Sequence, residues 1–211
     1  MKVLPTLLTI AGSTTVAHAT IVVETYGTAP RPGAVFGVPT DPAPFNPLIF
    51  LDVSSTPGAD GALITFSTPV SVRRIGEGWA TWSGGYTGNA FYTNGATSLT
   101  IDFAVPGGPN WIIAAQLYAE PNPFADFDIS ATAVDWSGAS SVTTTQTASG
   151  FAGATGWGFY SPDSFIRSIT ISSDVDFAVG DLATKLFIPA PASLTLLALA
   201  APVRRRRPAT S

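Results

Sequence analysis

The sequence predicts an all-β fold: an antiparallel two-sheet sandwich of jelly-roll type, with a hydrophobic helix at each end of the chain. Three observations carry this. Ser98–Phe103 alternates, with Leu99, Ile101 and Phe103 on one face and Ser98, Thr100 and Asp102 on the other. Phe127–Asp135 alternates in the same way, with Phe127, Ile129, Ala131 and Ala133 together. Turn residues, drawn from 20 glycines and 18 prolines, cut the apolar segments short, so no connection holds a crossover helix. A purely parallel sheet is thereby excluded. A single closed barrel is the alternative arrangement of the same strands.

Taken in order, the strands are short. Thr20–Tyr26 is the first, and Gly27–Pro47 is too rich in Pro and Gly for a regular helix. Leu48–Val53 reads as a strand and Pro57–Gly61 as a turn. Leu63–Phe66 opens the regular core, and Pro69-Val70 is a point where the chain can cross between sheets. Val72–Tyr92 interleaves Trp79, Trp82, Tyr86, Phe91 and Tyr92 with glycines, which suits short strands and tight turns. Thr93-Asn94-Gly95 is a turn signal. Trp111–Tyr118 is a continuous apolar run, as expected of a central strand. Ser137-Gly138 turns the chain into Ser141–Thr147, a polar partner strand with one wet face. Trp157–Tyr160 is a short aromatic strand. Ile169 and Ile171 share a face in the next, and Phe177 and Val179 in the last.

Composition narrows the function. All fourteen acids and only five of the ten basic residues lie between Thr20 and Lys185, so this body carries a net charge of −9. That is poorly suited to phosphate backbones, and nucleic acid is not an expected partner. The chain has no cysteine, hence no disulfide, thiol chemistry or thiolate metal site. Its one histidine, His18, falls in the leader described below, so a Ser-His-Asp arrangement is not expected in the body. The three glutamates, Glu24, Glu77 and Glu120, show no spacing that pairs two of them for glycoside cleavage. The sequence therefore predicts a protein that is not an enzyme.

Two sets of residues are candidates for binding. Trp79, Trp82, Tyr86 and Tyr92 offer ring faces that could stack on the apolar faces of sugars, or could fill the core. Asp126 and Asp128, with Asp174 and Asp176 before the last strand, supply oxygen ligands of the kind that hold one structural Ca2+. The same aspartates also suit turn capping on a solvated face.

Both chain ends read as signals. Residues 1–19 have Lys2 as a minimal positive region, an apolar stretch from Val3 to Ile10, and Ala17-His18-Ala19 as a small-x-small cleavage site for signal peptidase. Residues 20–185 form the extracellular domain. Residues 186–211 close with a leucine-rich run and four arginines, Arg204, Arg205, Arg206 and Arg207. Arginine enters hydrocarbon at high cost and clustered cations favour the cytoplasmic side, so the run reads as a membrane anchor. The twelve residues from Ala192 to Val203 span about 18 Å as helix, against a hydrocarbon core of about 30 Å. Counting back to Leu186 gives eighteen residues and about 27 Å.

This tail resembles the PEP-CTERM sorting signal of exported bacterial proteins. Pro189-Ala190-Pro191 stands where that family has Pro-Glu-Pro, followed by Ala192-Ser193, the apolar run and the arginine cluster. The resemblance implies export by the secretion machinery, passage through the inner membrane, recognition by an exosortase and delivery to the surface or a biofilm matrix. The stretch from Gly88 to Asp181 is similar to a domain common in such proteins, through Asn94-Gly95, Ser98–Phe103, Pro121-Asn122-Pro123-Phe124, Trp157–Tyr160, Phe165–Ser173 and Phe177–Leu182. That likeness implies a jelly roll akin to carbohydrate-binding modules. The expected function is a non-catalytic, carbohydrate-binding surface protein with extracellular polysaccharide as partner. The alternatives are a structural matrix component without a small ligand, and a weak glycan-active enzyme.

Overall fold

The computed structural model describes residues 20–29, 49–108 and 111–187. Among these residues there is no helix, and twelve strands belong to one hydrogen-bonded sheet. In chain order they are β1 (Val22–Gly27), β2 (Asp52–Pro57), β3 (Leu63–Ile75), β4 (Gly78–Trp79), β5 (Asn89–Tyr92) and β6 (Ser98–Ala104). Then come β7 (Ile112–Pro121), β8 (Asp126–Asp135), β9 (Ser141–Ser149), β10 (Thr155–Tyr160), β11 (Ile166–Ser173) and β12 (Phe177–Leu186). The spatial order is β1-β10-β7-β12-β5-β3-β6-β11-β8-β9, with β2 and the two-residue β4 also on β3. Every pairing is antiparallel except β3 with β4.

The expected antiparallel all-β class is present. The connectivity is one continuous sheet that nearly closes on itself, and β3 is the reason. Its first part, Leu63–Phe66, pairs with β6, and its last part, Ser71–Arg73, pairs with β5. Pro69 lies between, where neither neighbour needs an amide hydrogen from it. The segment that the sequence marks as opening the core at Leu63–Phe66 thus belongs to a strand of 13 residues that joins both halves of the sheet.

At the far ends of the path β1 and β9 approach each other without a shared ladder. Gln146 of β9 bridges them: its Oε1 accepts from the Gly27 amide at 3.1 Å and its Nε2 donates to the Gly156 carbonyl at 2.8 Å.

One large core fills the interior. Leu99, Ile101, Ile129, Ile169 and Ile171 come from one half of the path, and Leu117, Trp157, Phe159, Phe177 and Val179 from the other. These are the faces the alternation assigns inward. Losing a fully buried ring such as Trp157 should cost about 3–5 kcal/mol.

The outer faces differ between the halves. On β6, β11, β8 and β9 the outer face carries hydroxyls. Thr100, Thr170, Thr132 and Thr143 fall in one cross-strand row, joined pairwise at 2.9 Å (Thr100 to Thr170) and 2.8 Å (Thr132 to Thr143). This is the wet face expected for Ser141–Thr147. On β5, β12, β7 and β10 the outer face is buried as well, so β7 is shielded on both sides, in keeping with its unbroken apolar run.

Asp135 closes the turn from β8 to β9. Burial opposes its ionisation, but the Ser137 hydroxyl and the amides of Ser140, Gly138 and Ala139 prevail and hold its pKa below the usual aspartate value.

The expected terminal helices fall on residues outside those described. No described helix is long and apolar enough to cross a membrane. One boundary moves: Leu186, assigned to the tail, is the last residue of β12, and the Phe187 amide donates to the Trp111 carbonyl at 2.7 Å.

The buried outer face depends on small residues beneath its rings. A Cβ on Gly156 would sit 2.4 Å from Cε1 and Cζ of Tyr118. Gly156→Val should therefore lower the unfolding free energy by about 1–3 kcal/mol in urea titrations. Adding Tyr118→Ala should recover part of that loss, a coupling a double-mutant cycle will read.

Candidate functional site

The aromatic-rich stretch does not lie open to solvent. It folds over the outer face of β5, β12 and β7 and makes a second apolar cluster from Trp79, Trp82, Ala90, Tyr118, Ala154 and Ala178. Tyr92, Ala178 and Glu120 form one cross-strand row beneath it. Trp79 and Trp82 are both buried, and Tyr86 and Tyr92 are half-buried against them. Ring centroids are 5.7 Å apart for Trp79 with Tyr92 and 6.0 Å for Trp82 with Tyr86. The four aromatics proposed as a sugar platform are thus brought together in pairs, but the two tryptophans serve packing here.

Glu120 is the chemical centre of this layer. It is 0% exposed, and its carboxylate is ringed by donors. Trp79 Nε1 donates to Oε2 at 2.7 Å and the Thr81 hydroxyl to Oε1 at 3.0 Å. Backbone amides of Gly153 and Ala152 add to them. Burial outweighs these four contributions and raises the carboxyl pKa above its ordinary 4.5. The Ala152 amide also reaches Thr81 Oγ1 at 3.0 Å, so Glu120 ties the Gly78–Thr81 segment to the loop after β9.

Next to it, Tyr92 donates its hydroxyl to Asp176 Oδ2 at 2.5 Å, and Asn122 Nδ2 donates to the same oxygen at 3.2 Å. The bond to Asp176, then burial, raises the Tyr92 pKa. The Arg73 guanidinium lies 4.5 Å from the Phe50 ring centroid and 5.5 Å from that of Tyr92.

Beside Trp79, Thr81 and Asn122 is a pocket of about 210 Å³, walled by these three with Phe124 and Gly150. Phe124, one of its walls, and Phe151, the residue after Gly150, have little cover. Phe124 is 71% exposed and Phe151 68%, and they meet edge to face with centroids 6.2 Å apart. Gly150 permits this approach, since a Cβ there would lie 1.9 Å from the Pro123 carbonyl oxygen. Exposed rings beside fixed hydrogen-bonding groups match a ligand with one apolar and one hydroxylated face.

The sequence reading passed over Phe151 and Thr81, took Asn122 and Phe124 only as part of a turn motif, and saw Glu120 only as a glutamate without a pair. The available signal was turn chemistry. Phe124 follows Asn122-Pro123 and Phe151 follows Gly150, positions that project a side chain from a loop.

The four aspartates do not gather. Asp126 and Asp128 point outward from β8, where Asp128 Oδ1 accepts from the Thr147 hydroxyl at 2.7 Å. Asp174 is exposed, while Asp176 is engaged by Tyr92 and Asn122. Among the described residues no three acids or other metal-capable side chains come together. Ala17, Ala19, Pro189, Pro191 and Arg204–Arg207 lie outside the described residues.

No protein-family model matches the chain, and no curated protein or solved structure is similar to it at a significant level.

The raised Glu120 pKa has a defined sign. The folded state binds this proton more tightly than the unfolded state does. The resulting stabilisation is complete below about pH 4.5 and is lost as pH rises through the folded pKa. Urea midpoints taken from about pH 7 down to about pH 4.5 should therefore climb in the wild type relative to Glu120→Gln.

Proposed function

We infer that this chain is an exported, non-catalytic carbohydrate-binding protein of the cell surface or extracellular matrix, and that the Phe124–Phe151 rim with its pocket is the binding site. One observation carries the reading: two neighbouring rings left in water beside an otherwise satisfied polar floor. Leaving large apolar rings exposed forgoes the stabilisation of burial, and a contiguous pair at a pocket mouth marks an interaction site. A pyranose fits the chemistry, with its C–H face on the rings and its hydroxyls toward Asn122, Thr81 and nearby backbone groups.

The non-catalytic part rests on the lining. Glu120 is saturated by donors, Asp176 is shared by Tyr92 and Asn122, and no carboxylate walls the pocket among the described residues. Glycoside cleavage needs two carboxyl groups flanking the bond. Export rests on the leader-like and anchor-like ends of the sequence and on the resemblance of the tail to a PEP-CTERM signal. In this reading the sheet is a jelly-roll-like sandwich, with β2 and β3 continuing from one layer into the other.

Phe124→Ala with Phe151→Ala should weaken retention on a polysaccharide column at least about tenfold, since each ring contributes about 0.5–1.5 kcal/mol beyond its area. The melting temperature should stay within about a degree of wild type, because surface changes of this kind cost little. Unchanged retention across a panel of neutral and acidic glycans would refute the assignment. Trp79→Ala, by contrast, should lower stability by about 3–5 kcal/mol, which circular dichroism on heating will show.

A further inference from the structure

Three chain segments wall the pocket: Gly78–Thr81, Asn122 with Phe124, and Gly150. One side chain reaches all three. On the first, Glu120 accepts from Trp79 Nε1 and from the Thr81 hydroxyl. It stands two residues before Asn122, on the strand that leads into the second. On the third it accepts from the amides of Ala152 and Gly153, just after Gly150 and Phe151. The register explains this reach. Thr155 of β10 pairs with Ala119, and Ala178 of β12 pairs with Glu120, so the loop into β10 leaves the sheet beside this carboxylate.

The loop is shaped for an anion. Ala152 has a φ of 55°, a left-handed conformation that a residue with a Cβ seldom keeps unless its surroundings impose it. Successive amides presented in this way make a nest that holds negative charge. Here the chain supplies the charge itself. Four donors converge on two oxygens, and an ionised carboxylate, with acceptors alone, satisfies them. A carboxamide of the same size would bring two more donors among them. Phe151 lies between two fixed amides. The Gly150 amide donates to the Ala125 carbonyl at 3.0 Å, and the Ala152 amide is held by Glu120 and by Thr81 Oγ1. The backbone that carries the Phe151 ring to Phe124 is thus set from both sides. The start of β10 has its own tie, from the Ser83 hydroxyl to the Ala154 carbonyl at 2.5 Å, so loss of the carboxylate frees the loop without freeing the strand.

We propose that Glu120 is the positioning residue of the carbohydrate site: its carboxylate, seated in the Ala152–Gly153 nest, places Phe151 beside Phe124 and fixes the Trp79–Thr81 wall. Sugar affinity is then set by a side chain that is 0% exposed and that the sugar does not touch. The proposal rests on the reading of this pocket as the carbohydrate site. Packing alone gives no reason for a charge here, since apolar groups of similar volume often replace buried charges without loss of stability. Holding two loops in one fixed relation does give a reason.

The test compares wild type, Glu120→Gln and Glu120→Ala in the full chain, with and without sodium formate. It reads retention on immobilised neutral and acidic polysaccharides and amide hydrogen exchange. Both variants should lose about tenfold in retention, the scale of one charge-assisted hydrogen bond. Both should exchange faster at Ala152 and Gly153 while Leu117 and Trp157 stay protected. Formate should restore both readouts in Glu120→Ala, where it enters the vacated nest, and neither in Glu120→Gln, whose side chain fills it. If wild type and folded Glu120→Gln are retained equally, the positioning role is overturned and the carbohydrate site stands. Faster exchange at Leu117 and Trp157 in both variants, not reversed by formate, marks a role in folding alone and also overturns the proposal. A wild type that none of the polysaccharides retains overturns the site, and this role with it.

Discussion

A single strand, β3, holds the molecule to one core. Its thirteen residues pair first with β6 and then with β5, so the other strands of the main path lie on one or the other side of that junction, with β2 and β4 on β3 itself. Backbone hydrogen bonds leave little choice here, because a buried amide without a partner costs as much as a lost bond. Pro69, which has no amide hydrogen to give, falls where the ladder changes partner. The inward faces of both halves then meet in one cluster, from Ile129 and Ile171 to Trp157 and Phe177.

The two outer faces follow different physics. Hydroxyl rows on the β6–β11–β8–β9 side satisfy one another in pairs and tolerate water. The β5–β12–β7–β10 side is paved with glycine and alanine, and rings from the Val72–Tyr92 stretch lie on it. Gly180 shows how tight the fit is, since a Cβ there would come within 2.9 Å of Trp82 Cζ2. Within that dry layer the Glu120 carboxylate is fully buried, and its donors anchor two loops at once. Those loops carry the pocket walls. The site is therefore an outgrowth of how the sheet's second face is covered.

Much of this was legible in the sequence. The alternation in β6 and β8 gave their inward faces correctly, and the continuous run at Trp111–Tyr118 marked β7 as central. The misreadings have physical causes. Leu48–Val53 marked a strand a few residues early, because Phe50 and Leu51 are apolar yet exposed, whereas β2 pairs through the polar Asp52–Pro57. Pro69-Val70, read as a crossing point between sheets, lies inside one strand that changes partner there from β6 to β5. For Trp79 and Trp82 the sequence left two readings open, sugar platform or core, and tertiary contacts with Glu120 and Gly180 bury them. Whether a tryptophan is a platform or a cover depends on what lies opposite, which periodicity does not encode. Phe151 escaped notice because an isolated ring in a loop carries no pattern, and Phe124 stood out only as part of the Pro121–Phe124 turn.

Gln146 has one more implication. A sheet that almost closes still has two rims, and unpaired rims recruit other chains into intermolecular ladders. Here β1 and β9 turn their rims toward each other, and one amide side chain spans the gap by standing in for a missing rung. In a crowded setting where many copies lie side by side, that seam keeps the molecules from templating one another. A small loosening at that seam would bare both rims for pairing with another chain.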